Sequence, residues 1–273
     1  MSTLTLFDII LTLIQIMVLV PVIIMFIRIS GRSVSKLVPV FFTFAMISYL
    51  LSDVYWIVYN YLRPDTREPL TANEIAECAA ILLLSATLES LIKDKKHKND
   101  KNKMTAAELA YSVIFIGANI ALWIIWSGEW VEDILFGIPY IYILYLVIDG
   151  IVRTKAMDLK HSLTVLILSL AVLLMLVAAL FLTGTLYSVA AAASYVCAYV
   201  IFGYLFGKCV GFLCKSDGGV RAILMSAGAF EWSLLVTFMS DGVMYIVAGA
   251  AVTASIILMY LAYKKEVIAN DIC

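Results

Sequence analysis

The sequence predicts an all-α protein: a polytopic transmembrane helical bundle of about nine spans, with its N-terminus outside and its C-terminus in the cytoplasm. Its 273 residues are 63% hydrophobic and 14% charged, with a mean hydropathy of +1.00, whereas soluble domains are about half apolar. Apolar runs of membrane-spanning length recur along the chain, and basic residues collect in alternate loops. We therefore expect one integral membrane domain over residues 1–273.

The spans follow from the thickness of a bilayer. A hydrocarbon layer of about 30 Å needs about 20 apolar residues of helix, and helices leave no backbone group unpaired in lipid. Turn residues separate the runs, as at Ser30-Gly31, Gly184 and Gly218-Gly219. The first run lacks a basic leader and is interpreted as a retained span. The predicted spans are 6–28, 37–61, 73–92, 106–126, 133–152, 162–183, 186–213, 221–239 and 243–263.

Charge gives the orientation independently of hydropathy. If nine spans alternate, every second loop is cytoplasmic, and cytoplasmic loops collect Lys and Arg. Of the 19 basic residues, only Arg63 and Arg67 fall on the other side. That outer side carries nine acids: Asp8, Asp65, Glu68, Glu74, Glu77, Glu129, Glu132, Asp133 and Asp241. The outer face should therefore attract cations, and the bias is that of a bacterial-type cytoplasmic (cell) membrane protein.

This topology makes a prediction for labelling. We expect the lysine-rich loop 93–103 and Cys273 to be cytoplasmic, and the loop with Arg63 and Arg67 to be outside, because of the charge asymmetry. Single cysteines placed in each loop of a cysteine-free variant can be labelled in intact cells with an impermeant reagent. Modification of the lysine-rich loop in intact cells would show that the nine-span orientation is wrong.

Several classes of protein are excluded by composition. A net charge of −1 gives no basic surface for nucleic acid. The five cysteines show no CxxC spacing, and His97 and His161 lie in or beside predicted loops, so we expect no metal site and no cofactor. No GxSxG or Walker motif occurs. The expected partners are the lipid bilayer and a small solute.

Most acids near the membrane have a local explanation. Two glutamates belong to capping boxes at helix starts, two acids form i,i+4 ion pairs at helix ends, one lies in a first helical turn and one in a tight turn. They are, in that order, Thr71 with Glu74, Thr105 with Glu108, Glu89 with Lys93, Asp149 with Arg153, Asp8, and Asp241-Gly242. None of these acids requires a functional role.

Glu231 has no such explanation. It lies about 16 Å into the eighth span, near the midplane, with no cation within a helical turn. It is therefore a protonatable candidate, with Trp232 beside it as a donor and Gly228 leaving room one turn earlier. The alternative is a structural hydrogen bond to another helix.

Two further acids remain in the outer half of the bundle. Asp53 shares a helix face with Tyr49, Trp56 and Asn60, and an acid among aromatic rings is typical of a cation or amine site. The alternative is an aromatic belt at the interface. Glu77 lies one turn into the third span, where Arg63 or Arg67 could neutralise it.

Two helix faces are interpreted as packing surfaces. The fourth span carries a stripe of polar and aromatic residues, and such stripes more often pack than bind. The seventh carries overlapping GxxxG steps, which predict close packing of spans seven to nine around Glu231 or a homo-oligomer. The stripe is Tyr111, Phe115, Asn119, Trp123 and Trp126, and the glycines are Gly203, Gly207 and Gly211.

These residues leave three functions open. The first is a permease or sensor-like binder of a small cationic or neutral solute, in which Asp53 and Glu77 form an external site and Glu231 couples protons. The second is a membrane-embedded lipid hydrolase, which needs two carboxyls close together at a lipid-facing opening. The third is an assembly subunit, in which every carboxyl makes an interhelical bond. A water-accessible cavity joining Asp53 to Glu231 favours the first, two carboxyls within about 5–9 Å of each other beside a lipid-facing opening favour the second, and a dry core favours the third.

Overall fold

The computed structural model describes residues 3–31, 37–62, 71–94, 106–215, 218–240 and 242–271. These residues form nine α-helices and no strand, and every helix is long and apolar enough to cross a membrane. The predicted fold class, a multi-pass helical membrane protein, is thereby confirmed.

The helices agree with the predicted spans to within four residues, except at the end of the last one. That helix continues eight residues past 263, through its charged turn. The sixth ends early, at Ala179, and Gly184 begins the next helix with a φ of 60°. The helices are α1 Thr3–Ser30, α2 Leu37–Leu62, α3 Ala72–Asp94, α4 Ala106–Ser127, α5 Trp130–Thr154, α6 Leu159–Ala179, α7 Gly184–Leu213, α8 Gly219–Met239 and α9 Gly242–Asp271.

Contacts between helix termini show that the helices alternate in direction. At one end, Arg221 Nε donates to Thr154 O at 3.1 Å, and Lys265 Nζ donates to Leu213 O at 2.7 Å. These cations satisfy the free carbonyls at the C-termini of α5 and α7. At the other end, Trp56 Nε1 donates to Asp8 Oδ2 at 3.2 Å. We call these the basic end and the acidic end of the bundle.

Several residues on which the topology prediction rests are not among those that the structure describes. Cys273, the loop with Arg63 and Arg67, and most of the lysine-rich loop lie outside the described residues. The structure places the helix ends relative to each other, and the assignment of the basic end to the cytoplasm stays a prediction.

The helices form two rings that share α5 and α8. The first ring runs α1, α2, α3, α5, α8, α9 and back to α1, and the second runs α4, α5, α8, α7, α6 and back to α4. The shared edge is tight: a Cβ on Gly150 of α5 would lie 2.5 Å from Leu224 Cδ2 of α8. A larger residue at this position would require Leu224 to move, so α5 and α8 lie in close contact and together separate the two ring interiors.

The first ring is closed by aromatic packing towards the basic end. The Phe26 ring stacks on Phe42 with a centroid distance of 4.0 Å and lies 4.8 Å from Tyr263. Phe26 and Phe42 are 0% and 1% exposed. Asp53 of α2 and Glu77 of α3 lie on the acidic side of this layer.

The glycine face of α7 does not pack as the internal-packing interpretation required. Gly203, Gly207 and Gly211 are exposed, and nothing in the described chain comes within 4 Å of a Cβ built on any of them. The α7 residues that pack inside the bundle lie on the opposite face, where Cys209 is fully buried. Homo-oligomer formation through the glycine face stays a prediction.

Candidate functional site

The second ring encloses a cavity of about 290 Å³ towards the basic end. Its walls come from α4, α5, α6, α7 and α8 and are mostly apolar. The cavity extends from Ala107, Val152 and Met157, near helix ends, to the middle of α8. Its polar side chains are those of Glu108, Tyr111, Ser162, Ser169, Glu231 and Trp232.

Glu231 lies in the deep wall of this cavity. Its side chain is 2% exposed, and within the described part of the chain its Oε1 has no hydrogen-bond partner. The helix around it is internally satisfied, since Ser233 Oγ donates to Ala229 O at 2.5 Å. An unpaired buried carboxyl costs free energy that a structural role would recover through a bond. The Glu231 carboxyl is therefore available to bind a ligand or a proton.

Aromatic side chains line the same cavity as Glu231. The rings of Phe115 and Trp232 stack with a centroid distance of 6.2 Å, and Tyr111 lies close enough to Glu231 to interact electrostatically. Tyr111 OH is hydrogen-bonded to Ser169 Oγ at 2.7 Å, which joins α4 to α6. The cavity therefore presents π-faces next to an acid.

Trp232 plays a different role from the one expected. We expected its indole to be available as a donor beside Glu231, but Trp232 Nε1 donates to Ala198 O of α7 at 3.1 Å. The bond holds the ring in place, so Trp232 contributes its face to the cavity. Gly228 lines the cavity as predicted from its position one turn away.

Glu108 lies at the mouth of the same cavity. Its proposed capping partner, Thr105, is outside the described residues, and the Glu108 Oε2 atom is buried without a hydrogen-bond partner in the described chain. The parallel capping box at the start of α3 is confirmed, because Thr71 N donates to Glu74 Oε2 at 3.1 Å. Glu108 therefore has a place in the site that its sequence pattern did not indicate.

A second polar group, which we call the acid cluster, lies inside the first ring towards the acidic end. It joins Asp8 of α1, Asp53 of α2 and Glu77 of α3, which interact electrostatically with one another or with shared tyrosines. Tyr140 OH donates to Glu77 Oε1 at 2.5 Å, and Tyr245 of α9 bonds to Asp8. Five helices thus contribute to the acid cluster.

Asp53 is the unsatisfied member of the acid cluster. It is 8% exposed, and its Oδ2 has no hydrogen-bond partner among the described residues. The neighbouring Tyr49 OH instead accepts from Gln15 Nε2 at 3.2 Å. Carboxylates this close repel one another when all are ionised, so the acid cluster is most stable with a proton or a cation added.

This repulsion predicts a stabilising substitution. Asp53→Asn keeps the side-chain shape and removes one charge, so it should raise the midpoint of thermal unfolding in detergent at pH 8. The expected gain is on the order of 1 kcal/mol, or roughly 2–4 °C. The gain should shrink in acid, where the carboxyls of the wild type are protonated.

The matched control for that experiment is Asp158→Asn, at the exposed N-cap of α6, where the carboxylate lies 3.5 Å from His161 Nδ1. Asn caps a helix as well as Asp and exposed ion pairs contribute little, so the midpoint should be unchanged. A lower midpoint for Asp53→Asn at pH 8 would mean that its charge is compensated in the folded protein.

The sequence-predicted residues therefore fall into two places. Asp53, Glu77, Tyr49 and Trp56 lie in or beside the acid cluster of the first ring, whereas Glu231 and Trp232 belong to the second-ring cavity. Neither Asp53 nor Glu77 lines the described cavities, so none of these cavities joins Asp53 to Glu231 as the permease hypothesis expected. The side chain of Asn60, and Arg63 and Arg67, lie outside the described residues.

Asp8 and the α4 stripe are the residues that sequence reasoning missed. Asp8 lies beyond the first turn of α1, so the helix-dipole explanation does not apply, and it bonds to Trp56 and Tyr245. On α4, Tyr111, Phe115 and Asn119 line cavities rather than only packing. The i,i+4 spacing of polar and aromatic residues on α4 was the available signal.

Together the fold and the two polar sites define a multi-pass helical membrane protein with a buried acid facing a cavity. No protein family model matches the sequence, and no curated protein and no solved structure matches the chain.

Proposed function

We propose that this protein is a proton-coupled permease of the cell membrane for a small organic cation with an apolar body. The observation that carries the proposal is the unpaired Glu231 carboxyl in the deep wall of a cavity that extends to the basic end of the bundle. Intramembrane acids of this kind commonly mark substrate or proton pathways.

The cavity chemistry supports a cation. Its lining in the described chain contains Glu108 and Glu231 but no Lys, Arg or His. Phe115, Trp232 and Tyr111 offer ring faces, which attract a poorly hydrated cation by up to about 2 kcal/mol when desolvated. A volume of about 290 Å³ is close to the lower limit of typical small-molecule sites. A compact amine or quaternary ammonium with an aromatic or aliphatic body suits these walls.

Coupling follows from competition for one carboxyl. A cation that binds Glu231 needs the carboxylate, and a proton that binds Glu231 neutralises it, so each displaces the other. If the cavity opens alternately to the two sides, this competition exchanges a cation for a proton. The acid cluster would bind cations or protons at the acidic end, which is the external site predicted for Asp53 and Glu77.

The alternative functions receive less support. The carboxyls that interact with one another, Asp53 and Glu77, line none of the described cavities, whereas a hydrolase needs its pair at a substrate opening. An assembly subunit needs a satisfied core, and the second ring instead contains a cavity and an unpaired acid.

The experiment is transport by purified protein in liposomes. The probe is benzyltrimethylammonium, whose charge is fixed at every pH, and benzenesulfonate is the matched anion. We expect an imposed pH gradient, acidic inside, to drive uptake of the cation well above that of protein-free liposomes, with no uptake of the anion. Folded protein that shows no gradient-dependent uptake of the cation would overturn the proposal.

A further inference from the structure

The second ring contains another cavity of about 290 Å³, which we call the outer vestibule, at the acidic end of the bundle. It lies between the last turns of α4, α6 and α8 and the first turns of α7. It is a half-open groove lined by four aromatic side chains, namely Trp126, Tyr187, Tyr195 and Phe238, together with Ser240. Trp126, Tyr187 and Phe238 are 48%, 51% and 48% exposed.

A small separate void lies between the outer vestibule and the cavity that Glu231 lines. The void measures about 10 Å³ and shares Phe115, Trp232 and Leu235 with the Glu231 cavity. It shares Leu176 and Met239 with the outer vestibule. The three spaces therefore have walls in common, and the middle one, which we call the constriction, holds about one water volume.

Residues with unsatisfied polar atoms line each of the three spaces. Glu231 lines the first, Asn119 the constriction and Ser240 the outer vestibule. Each of these residues has a side-chain oxygen that is buried without a partner in the described chain, namely Glu231 Oε1, Asn119 Oδ1 and Ser240 Oγ. Asn119 is 0% exposed, and its amide donates to Phe115 O at 2.8 Å, which leaves the oxygen free. Buried polar atoms are rarely left unpaired without a reason.

We infer that the outer vestibule is a second binding site for the same class of organic cation, held by the faces of its aromatic rings. The inference deepens the proposed function, on which it rests for the transport role. Among the described residues, no charged side chain lines the outer vestibule, so this part of the lining recognises a cation through the ring quadrupoles, which favour weakly hydrated organic ammonium over small inorganic ions.

The constriction then separates two sites on one path. A benzyl or alkyl ammonium is far larger than a 10 Å³ void, so passage requires Trp232, Leu176 or Met239 to move. Trp232 is anchored to Ala198 of α7, and α6 packs on α7. Displacement of α6 and α7 relative to α4 would open the constriction, and Asn119 would offer its free oxygen to the passing cation.

The test measures protection of a cysteine in the outer vestibule. Ser240→Cys, in a background with the five native cysteines replaced, is treated with an impermeant thiol reagent in liposomes. We expect benzyltrimethylammonium to slow the modification and benzenesulfonate to leave it unchanged. Val243→Cys, exposed on α9 and outside the outer vestibule, should show no protection by either ion.

Ring substitutions then identify the site. Trp126→Leu and Tyr187→Leu should each raise the half-protecting cation concentration about fivefold, the effect of losing about 1 kcal/mol of cation–π attraction. Trp126→Phe keeps a ring and should restore most of the protection. The matched control is Trp130→Leu, because Trp130 is 62% exposed at the same end but outside the outer vestibule; it should have no effect.

The outcomes distinguish the two proposals. If gradient-driven uptake occurs but the cation gives no protection, or Trp126→Leu behaves like Trp130→Leu, the second site is excluded and the permease proposal stands. If protection occurs and depends on the rings while no uptake is seen, the outer vestibule binds the cation and the permease proposal fails.

Discussion

Glu231→Gln is expected to reduce pH-gradient-driven cation uptake to the level of protein-free liposomes while leaving the fold intact. The amide keeps the shape of the protonated acid, and Glu231 Oε1 makes no hydrogen bond that the substitution could break. Under the permease proposal, it also removes the charge that would bind the cation and the site that would exchange the proton. Loss of one partner of a buried charge pair costs about 2–5 kcal/mol, which corresponds to a cation affinity lower by about 30-fold or more.

Two further variants make this result interpretable. Glu89→Gln, on α3 and outside the cavity, carries the same chemical change and should leave uptake unaltered. Glu231→Ala should also abolish uptake, with only modest destabilisation, since a structural bond in a membrane bundle contributes about 0.6–2 kcal/mol. A folded Glu231→Gln protein with normal uptake and an unchanged pH profile would exclude Glu231 from the mechanism.

Gly228→Leu is expected to obstruct the Glu231 cavity. Gly228 lines the cavity one turn before Glu231, and a side chain longer than a methyl group would extend into the space that the cation occupies. We expect uptake and cation affinity to fall by at least about tenfold, equivalent to 1.4 kcal/mol. Crowding against Val147 should add a stability cost of about 1–3 kcal/mol.

The size series separates obstruction from misfolding. A Cβ on Gly228 lies 3.2 Å from Val147 Cγ1 and meets nothing closer, so Gly228→Ala should fold and retain most uptake. Gly117→Leu introduces the same bulk on α4, where nothing lies within 4 Å of a Cβ, and should transport normally. Thermal unfolding and uptake are measured on all three proteins. Normal uptake by Gly228→Leu would place the solute elsewhere.

The helices were predictable because their cause is local. The length of each apolar run matches the thickness of the hydrocarbon layer. Turn residues such as Gly184 and Ser127-Gly128 mark the boundaries between consecutive helices. The internal ion pair Asp149–Arg153, at 2.5 Å, is local in the same way. Glu231 was found by the same logic, because neither capping nor an i,i+4 partner could explain it.

The grouping of side chains from different helices was not predictable in this way. Asp8 meets Trp56 across 48 residues of sequence, and Tyr140 meets Glu77 across 63. Such contacts depend on which helices are neighbours and how each is rotated, and a hydropathy pattern carries no information about either. The α7 glycines are a further example, because a GxxxG pattern predicts a packing face but does not specify which helix packs against it.

The burial of α8 among its neighbours bears on how this helix is inserted into the membrane. Of the nine described helices, α8 has the largest share of buried residues, and it carries Glu231 near its centre. A charged residue at the middle of a lone helix costs about 2.5–3.5 kcal/mol during insertion by the translocon. During synthesis, α5 and α7 reach the membrane first and offer the surfaces that α8 occupies. We therefore expect α8 to enter the bilayer against these helices rather than alone, so that a defect in α5 or α7 appears first as failed insertion of α8.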